Sequence, residues 1–309
     1  MIISLIKLVA GFILLIKGAD YFVEGSSDLA KRLKIPSMII GLTIVAMGTS
    51  LPECAVSITA SLSGNNTLAV SNAVGSNIFN LVVVCGCAAL FAPLPVSKET
   101  LQKEFPFSVF CGVLLMGLGF IGMCLGRIDG IGLLILFTIY LVAMVIQAKR
   151  KPLEVESSYV PLLLRKVIVY IIGGILAIKF GGDFVVNGAT DIATSMGLSQ
   201  TLIGLTIVAM GTSLPELVTS VVAAKKGETD IAVGNVVGSN IFNVLLVLGI
   251  AAAISPIEFI FENLIDIAIL TFVSLMVWFM VWKKGFLGKN NGIILLITYA
   301  LYMIYIVIR

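Results

Sequence analysis

The thirteen-residue segment GLTIVAMGTSLPE stands at residues 41–53 and returns unaltered at 204–216. At the same offset of 163 positions, NAVGSNIFN (72–80) returns as NVVGSNIFN (235–243), and GADYFVEGSSDLA (18–30) as GGDFVVNGATDIA (181–193). Self-similarity at one fixed offset means that a single structural unit is used twice. Both copies of the acidic hexapeptide GTSLPE lie inside long apolar stretches. The chain is 59% hydrophobic and 12% charged, where soluble domains carry about 25% charged residues. It therefore uses lipid as its solvent, and a glutamate buried twice in such a chain needs a reason.

Runs of the length a bilayer demands, about 20 residues, fall at roughly 1–24, 36–62, 67–92, 105–126, 129–148, 161–188, 199–224, 229–254, 258–282 and 291–308. The expected fold is an all-α membrane protein of ten transmembrane helices. It divides into a first five-helix repeat (1–148), a short cytoplasmic linker (149–160) and a second repeat (161–309). Five is odd, so the second repeat enters the membrane from the opposite side, and the repeats are inverted as in many secondary transporters. Fifteen of the 20 lysines and arginines fall in alternate connections, among them Lys31, Arg32 and Lys34, then Lys98 and Lys103, Lys149 to Lys151, Lys225 and Lys226, and Lys283 and Lys284. The positive-inside rule places those connections in the cytoplasm and both termini outside the plasma membrane. Without a small-residue cleavage site before Gly18-Ala19-Asp20, the first run reads as a retained span.

The net charge of +3 is too small and dispersed for nucleic acid, and the absence of histidine removes imidazole metal sites and histidine-based triads. The five cysteines, without CxxC spacing, read as small apolar residues. No resident cofactor and no enzymatic activity are expected.

In GTSLPE, Ser50 and Glu53 fit a capping box with Ser50 as N-cap, and a proline is tolerated in the first helical turn. Spans 2 and 7 are therefore expected to break near the midplane, freeing carbonyls of Ala46, Met47 and Thr49, and of Ala209, Met210 and Thr212. Kinking alone would not require an acid. Glu53 and Glu216 are costly at that depth and so are functional candidates. In the second motif Ser76 and Asn80, and Ser239 and Asn243, lie at i and i+4 on one helix face. Gly75 and Gly238 permit close backbone approach, and Asn72, Asn77, Asn235 and Asn240 can bond between helices. Two carboxylates, hydroxyls, amides and carbonyls form an all-oxygen set that suits Ca²⁺ or an alkali cation, Mg²⁺ less well, and neither zinc nor copper. When empty, the two acids repel, so one takes a proton or a monovalent cation. Exchange follows from that competition.

With these motifs, the chain resembles the sodium/calcium exchanger branch of the Ca²⁺/cation antiporter superfamily over essentially its whole length. The resemblance implies Ca²⁺ held by Glu53 and Glu216 with backbone oxygens of Thr49 and Thr212. It implies flanking Na⁺ positions from the Ala46 and Ala209 carbonyls with Ser50, Ser76, Ser213 and Ser239, and a centre lined by Asn80 and Asn243. Potassium-dependent members carry an aspartate where this chain has Asn243. The resemblance also implies that spans 1 and 6 slide past the other helices, for which Gly11, Gly18, Gly173 and Gly174 offer smooth faces, and that a monomer suffices, its partners being Na⁺, Ca²⁺ and the bilayer. Lys17 and Lys179 would snorkel, and Asp20 and Asp183 would cap or anchor those spans. A proton-coupled antiporter is the nearest alternative. A cation channel and an intramembrane enzyme are more distant ones.

Overall fold

The computed structural model describes residues 2–150, 159–197, 207 and 209–308. Most of the expected linker 149–160, and 204–206 with 208 at the start of the second motif copy, lie outside the described residues, as does part of the expected span 199–224. The helices are α1 (Ile2–Leu33), α2 (Ser37–Thr49), α3 (Leu51–Leu62), α4 (Thr67–Phe91), α5 (Lys98–Phe120), α6 (Arg127–Arg150) and α7 (Leu164–Ser195). They continue with α8 (Leu214–Lys225), preceded by a helical turn at Ala209–Gly211, then α9 (Thr229–Ile254), α10 (Phe261–Lys284) and α11 (Lys289–Ile308). Among the described residues eight helices are long and apolar enough to cross a bilayer, or nine if α2 and α3, bent by 49° at Ser50, count as one span.

The boundaries follow local chemistry. Lys34 at φ 53° and the turn before Pro36 stop α1, because a residue preceding proline is driven from the helical region. Gly285, at φ 71°, closes α10 in the left-handed conformation that glycine adopts without a Cβ clash.

Burial sorts the helices into layers. In their most apolar windows α4 and α9 are 72% and 78% buried, against 28% for α1 and for α7. The two motif-bearing helices are thus the centre, and α1 and α7 form an outer pair. That pair is antiparallel and built on two heptad-spaced glycine rows. A Cβ on Gly11 would lie 2.8 Å from Gly181 O, one on Gly18 2.9 Å from Ala177 Cβ, and one on Gly174 2.7 Å from Phe22 Cβ. These glycines therefore bind α1 to α7. They do not smooth the pair against the remaining helices, as expected from sequence, and Gly173 meets nothing within 4 Å. Small residues at a membrane helix interface let backbones close and gain van der Waals contact.

A second close crossing joins α2 to α9. A Cβ on Gly234 would lie 2.8 Å from Met38 O, and one on Gly238 2.6 Å from Leu42 O. The segment that would meet Gly75 by repeat symmetry lies largely outside the described residues. Finally, two short antiparallel clips tie distant connections, Leu94 opposite Leu287 and Leu125 opposite Ile257. Under the 163-residue offset each clip is the image of the other. Each also joins two connections that the distribution of basic residues assigns to one side of the membrane.

Candidate functional site

The break between α2 and α3 puts the carboxylate of Glu53 into the middle of the molecule, fully buried, and Glu216 at the start of α8 is likewise 0% exposed. Ser50 and Ser213 occupy the N-cap positions of α3 and α8, but neither side chain caps its helix. This corrects the capping-box expectation. Each hydroxyl is spent across the repeat boundary instead. Ser50 Oγ donates to Glu216 Oε1 at 2.7 Å, and Ser213 Oγ donates to Glu53 Oε1 at 3.2 Å. The hydroxyl proton goes to a carboxylate, in a charge-assisted bond about twice as strong as a neutral one, and in that orientation the oxygen accepts no N–H of its own helix. Ser76 Oγ adds a longer contact of 3.4 Å to Glu53 Oε1. Its counterpart Ser239 is fully buried on the facing stretch of α9.

The carbonyls are less free than the break alone implies. Ala46 O accepts the Ser50 N–H at 3.0 Å, and Met210 O accepts that of Ser213 at 3.2 Å. A carbonyl has two lone pairs, and both on Ala46 O have a donor in reach, since the Thr49 hydroxyl also lies 3.3 Å away. The Thr49 hydroxyl is 2.9 Å from Asn235 Oδ1 and 3.1 Å from Val45 O, locked inside. Thr212 differs. It is half-buried and opens into a cavity of about 300 Å³ between α7 and the motif, whose walls include Pro52, Val56, Asp183 and Pro215. Ala209 opens the helical turn before Thr212.

Asparagines hold the frame. Asn72 Nδ2 donates to Glu53 O (3.2 Å) and Ser57 Oγ (3.0 Å), while Asn235 Nδ2 donates to Glu216 O (3.4 Å) and Ser220 Oγ (3.0 Å). Ser57 and Ser220 escaped the motif reading, although they too stand 163 positions apart and the offset alone would have marked them. Where α4 crosses α9, Asn77 and Asn240 each donate to the other's backbone carbonyl, at 3.1 and 3.3 Å, and Asn243 Nδ2 donates to Asn77 Oδ1 at 3.0 Å. Asn80 and Asn243 each begin a π-helical turn, Asn80–Val84 and Asn243–Val247. Such turns leave backbone groups out of register and recur at functional sites.

What remains unpartnered is concentrated here. Glu53 Oε2, Glu216 Oε2, both amide atoms of Asn80 and Asn243 Oδ1 have no hydrogen-bond partner among the described residues. Nor does any lysine or arginine among the described residues form an ion pair with either acid. Buried polar atoms are normally satisfied, so these five unpartnered atoms, two of them on the acids themselves, make this the candidate site. The described residues contain no group of three or more carboxylate, thiol or imidazole ligands.

Towards the C-terminal end of α1, ion pairs and hydrogen bonds tie the helix to the α8–α9 connection beside a cavity of about 300 Å³ lined by Glu24, Lys31, Tyr159, Lys226 and Glu228. Lys226 Nζ, just after α8, lies 2.7 Å from Asp20 Oδ1 and 3.5 Å from Glu24 Oε2. Ser27 Oγ donates to Glu228, and Lys31 Nζ is 3.8 Å from the same carboxylate. The residue equivalent to Lys226 in the first repeat is Ser63, which cannot form such a bridge. Asp20 thus anchors α1 to the α8–α9 connection, whereas its counterpart Asp183 pairs within α7 with Lys179 at 3.3 Å.

Comparison with known proteins identifies the family. The family model described as sodium/calcium exchanger protein matches residues 3–147 and 166–308. The inner membrane protein YrbG of Escherichia coli is 36% identical over 308 residues, covering 96% of this chain and 94% of its own. The sodium/calcium exchanger MaX1 of Methanosarcina acetivorans is 28% identical, with 98% of both chains covered. A solved structure of the sodium-calcium exchanger NCX_Mj, soaked with zero Na⁺ and Ca²⁺, superposes with a TM-score of 0.87 at 32% identity over 99% of both chains. The fold, the duplicated motifs and the family match, which covers nearly all of the sequence, lead to one conclusion: this chain is a multi-pass membrane transporter that belongs to the sodium/calcium exchanger family of cation/calcium antiporters.

Proposed function

We propose that this protein exchanges Na⁺ for Ca²⁺ across the plasma membrane by alternating access, with Glu53 and Glu216 as the two acids of one central cation site. The observation that carries the reading is the reciprocal pair of serine bonds. Each acid keeps one oxygen tied by the opposite repeat's hydroxyl and leaves its other oxygen without a partner. An uncompensated buried charge costs several kcal/mol, so two of them demand either one divalent cation or a set of monovalent ones. Binding of one class then excludes the other, which is the requirement for antiport. Thr49, Thr212, Ser76, Ser239, Asn80, Asn243 and the Ala46 and Ala209 carbonyls complete the oxygen cage. The relatives named as exchangers support the same ions.

In this reading ten spans form two inverted five-helix repeats, 1–148 and 161–309, with span 2 made of α2–α3 and span 7 of 199–224 broken at the motif. The symmetric β-clips support the inversion, since each joins connections on one side only. Both termini then lie outside and the linker 149–160 lies in the cytoplasm. The cavity beside Thr212 is the outer access route, and the polar contacts of Lys226 and Glu228 with α1 close the cytoplasmic side. A single chain contains the whole site, so the monomer is the working unit.

Purified protein in liposomes should take up radiolabelled Ca²⁺ when an outward Na⁺ gradient is applied, and Glu53→Gln and Glu216→Gln should each abolish uptake while keeping the wild-type elution profile. Uptake driven only by a proton gradient would replace Na⁺ with H⁺ in the scheme. Downhill Ca²⁺ flux without any counter-ion would make the protein a channel.

A further inference from the structure

Half way along α7, two charged side chains stand where a membrane helix can least accommodate them. Lys179 and Asp183 lie well inside Leu164–Ser195, and their side chains are 46% and 51% exposed. Ionisable residues at such depth are expensive unless they face a water-filled space. That space is the cavity of about 300 Å³ beside Thr212, into which α7 also brings Asn187. Its walls include Pro52 and Pro215, each of which directly precedes a buried acid in the chain. The Thr212 hydroxyl has no partner among the described residues. The cavity thus abuts the candidate site, and among its described lining residues only Lys179 and Asp183 carry charge.

The pair is held loosely. Lys179 Nζ is 3.3 Å from Asp183 Oδ2 and 4.8 Å from the centre of the Phe180 ring. A base four residues before its acid is the weaker of the two helical orders, and an exposed pair adds little stability. The duplication shows that the pair belongs to this side of the molecule alone. Under the 163-residue offset Asp183 and Asn187 stand where α1 has Asp20 and Glu24, but Lys179 stands where α1 has Ile16. On α1 the lysine comes from another element, Lys226 after α8, and ties the helix down. On α7 it comes from the same helix, so the acid is countered and the cavity is left unbridged. An ammonium fixed beside a carboxylate at an ion entrance sets the potential that an arriving cation meets.

We infer that Lys179 and Asp183 set the cation attraction of the outer access route, Asp183 concentrating arriving ions and Lys179 offsetting that pull. The pair thereby tunes how strongly Ca²⁺ is favoured over Na⁺ on that side. The inference rests on the exchange reading and on the assignment of this cavity to the outside. Its signature is the dependence on ionic charge. One unit charge a few ångströms away in water changes the local concentration of a monovalent ion about threefold, and that of a divalent ion by the square, about tenfold.

The test is radiolabelled Ca²⁺ flux in right-side-out and inside-out membrane vesicles from one expression host, with Glu53→Gln vesicles as the blank. Lys179→Gln should lower the half-saturating outside concentration about threefold for Na⁺ and about tenfold for Ca²⁺. Asp183→Asn should raise both by the same factors, and the double variant, with both charges gone, should return close to wild type. Lys179→Arg should behave as wild type, and half-saturation from the cytoplasmic side should not move. The shifts should shrink in about 1 M choline chloride, where the screening length is about 3 Å. If Asp183→Asn does not insert, the two shifts of Lys179→Gln still carry the test. Equal shifts for Na⁺ and Ca²⁺, shifts seen from the cytoplasmic side, or a lower thermal midpoint with half-saturation unmoved, the mark of a merely helix-stabilising pair, overturn the inference. Wild-type vesicles no better than the blank sink the exchange reading and this inference with it, whereas an active wild type that Lys179→Gln leaves unmoved overturns the inference alone.

Discussion

Removing Lys226 should tilt the proposed transporter toward the state open to the cytoplasm. Its ammonium bridges Asp20 at 2.7 Å and Glu24 at 3.5 Å and so ties α1 to the connection after α8. The three side chains are between 31% and 41% exposed, so water screens both contacts, and each is worth about 0.2–1 kcal/mol. Lys226→Ala therefore removes about 1 kcal/mol from the cytoplasm-closed state only, provided the bridge breaks when α1 moves. At 1.4 kcal/mol per factor of ten, the ratio of outward- to inward-open protein should fall about fivefold. A cysteine introduced at Val56, which lines the outer cavity, reports this in a background lacking the five native cysteines. Its labelling by a membrane-impermeant maleimide, added from outside, should slow by that factor. Asp20→Asn should act in the same direction. Raising salt to about 1 M, which shortens the screening length to about 3 Å, should slow labelling of the Lys226 protein and leave Lys226→Ala unaffected. Labelling that is unchanged by Lys226→Ala, or equally salt-sensitive with and without Lys226, would refute the latch.

Three further outcomes are expected. Ser50→Ala and Ser213→Ala should each lower apparent Ca²⁺ affinity about 10- to 100-fold, the worth of a hydrogen bond to a charged group, and isothermal titration should find the two equal in direction although one acts on Glu216 and the other on Glu53. Gly18→Val should lower the thermal midpoint in detergent, because its Cβ would meet Ala177 at 2.9 Å and overpacking costs about 1–3 kcal/mol, whereas Gly173→Ala, with open space around it, should not. Tyr159 ahead of α7 donates to Asp28 Oδ1, and burial together with that bond pushes its phenol up to about 12. Because the folded value lies above the ordinary value of about 10, the bond's contribution should be intact below pH ~10 and be lost as pH rises through about 12. The absorbance difference between wild type and Tyr159→Phe near 295 nm should show that midpoint, and a midpoint near 10 would contradict the assigned bond.

How much of this was legible beforehand varies residue by residue. Glu53 and Glu216 could be read at once, since an acid repeated inside an apolar run has no cheap alternative explanation. Asn72 and Asn235 were read as interhelical bonders but without their partners. Ser50 was read as a cap, a local role that its spacing from Glu53 allows, and the structure gives it to the other repeat. The glycines of α1 were marked as a smooth face, yet which helix they face depends on where α7 lies.

The sequence by itself determined the solvent, the duplication and the chemical set of the site. Hydropathy, repetition and side-chain type are properties of the chain before it folds, and they survive any packing. Only the tertiary structure decided the exchange of serines between Glu53 and Glu216, the Asn77–Asn240 crossing, the glycine seam and the one-sided latch at Lys226. Each joins residues more than 150 positions apart. An offset of 163 states which positions are equivalent, but equivalence does not say whether a side chain turns to its own repeat or to the other. That choice is made by the approach of α4 to α9 and of α2 to α9, where glycine and asparagine let the two halves come close enough to share one site.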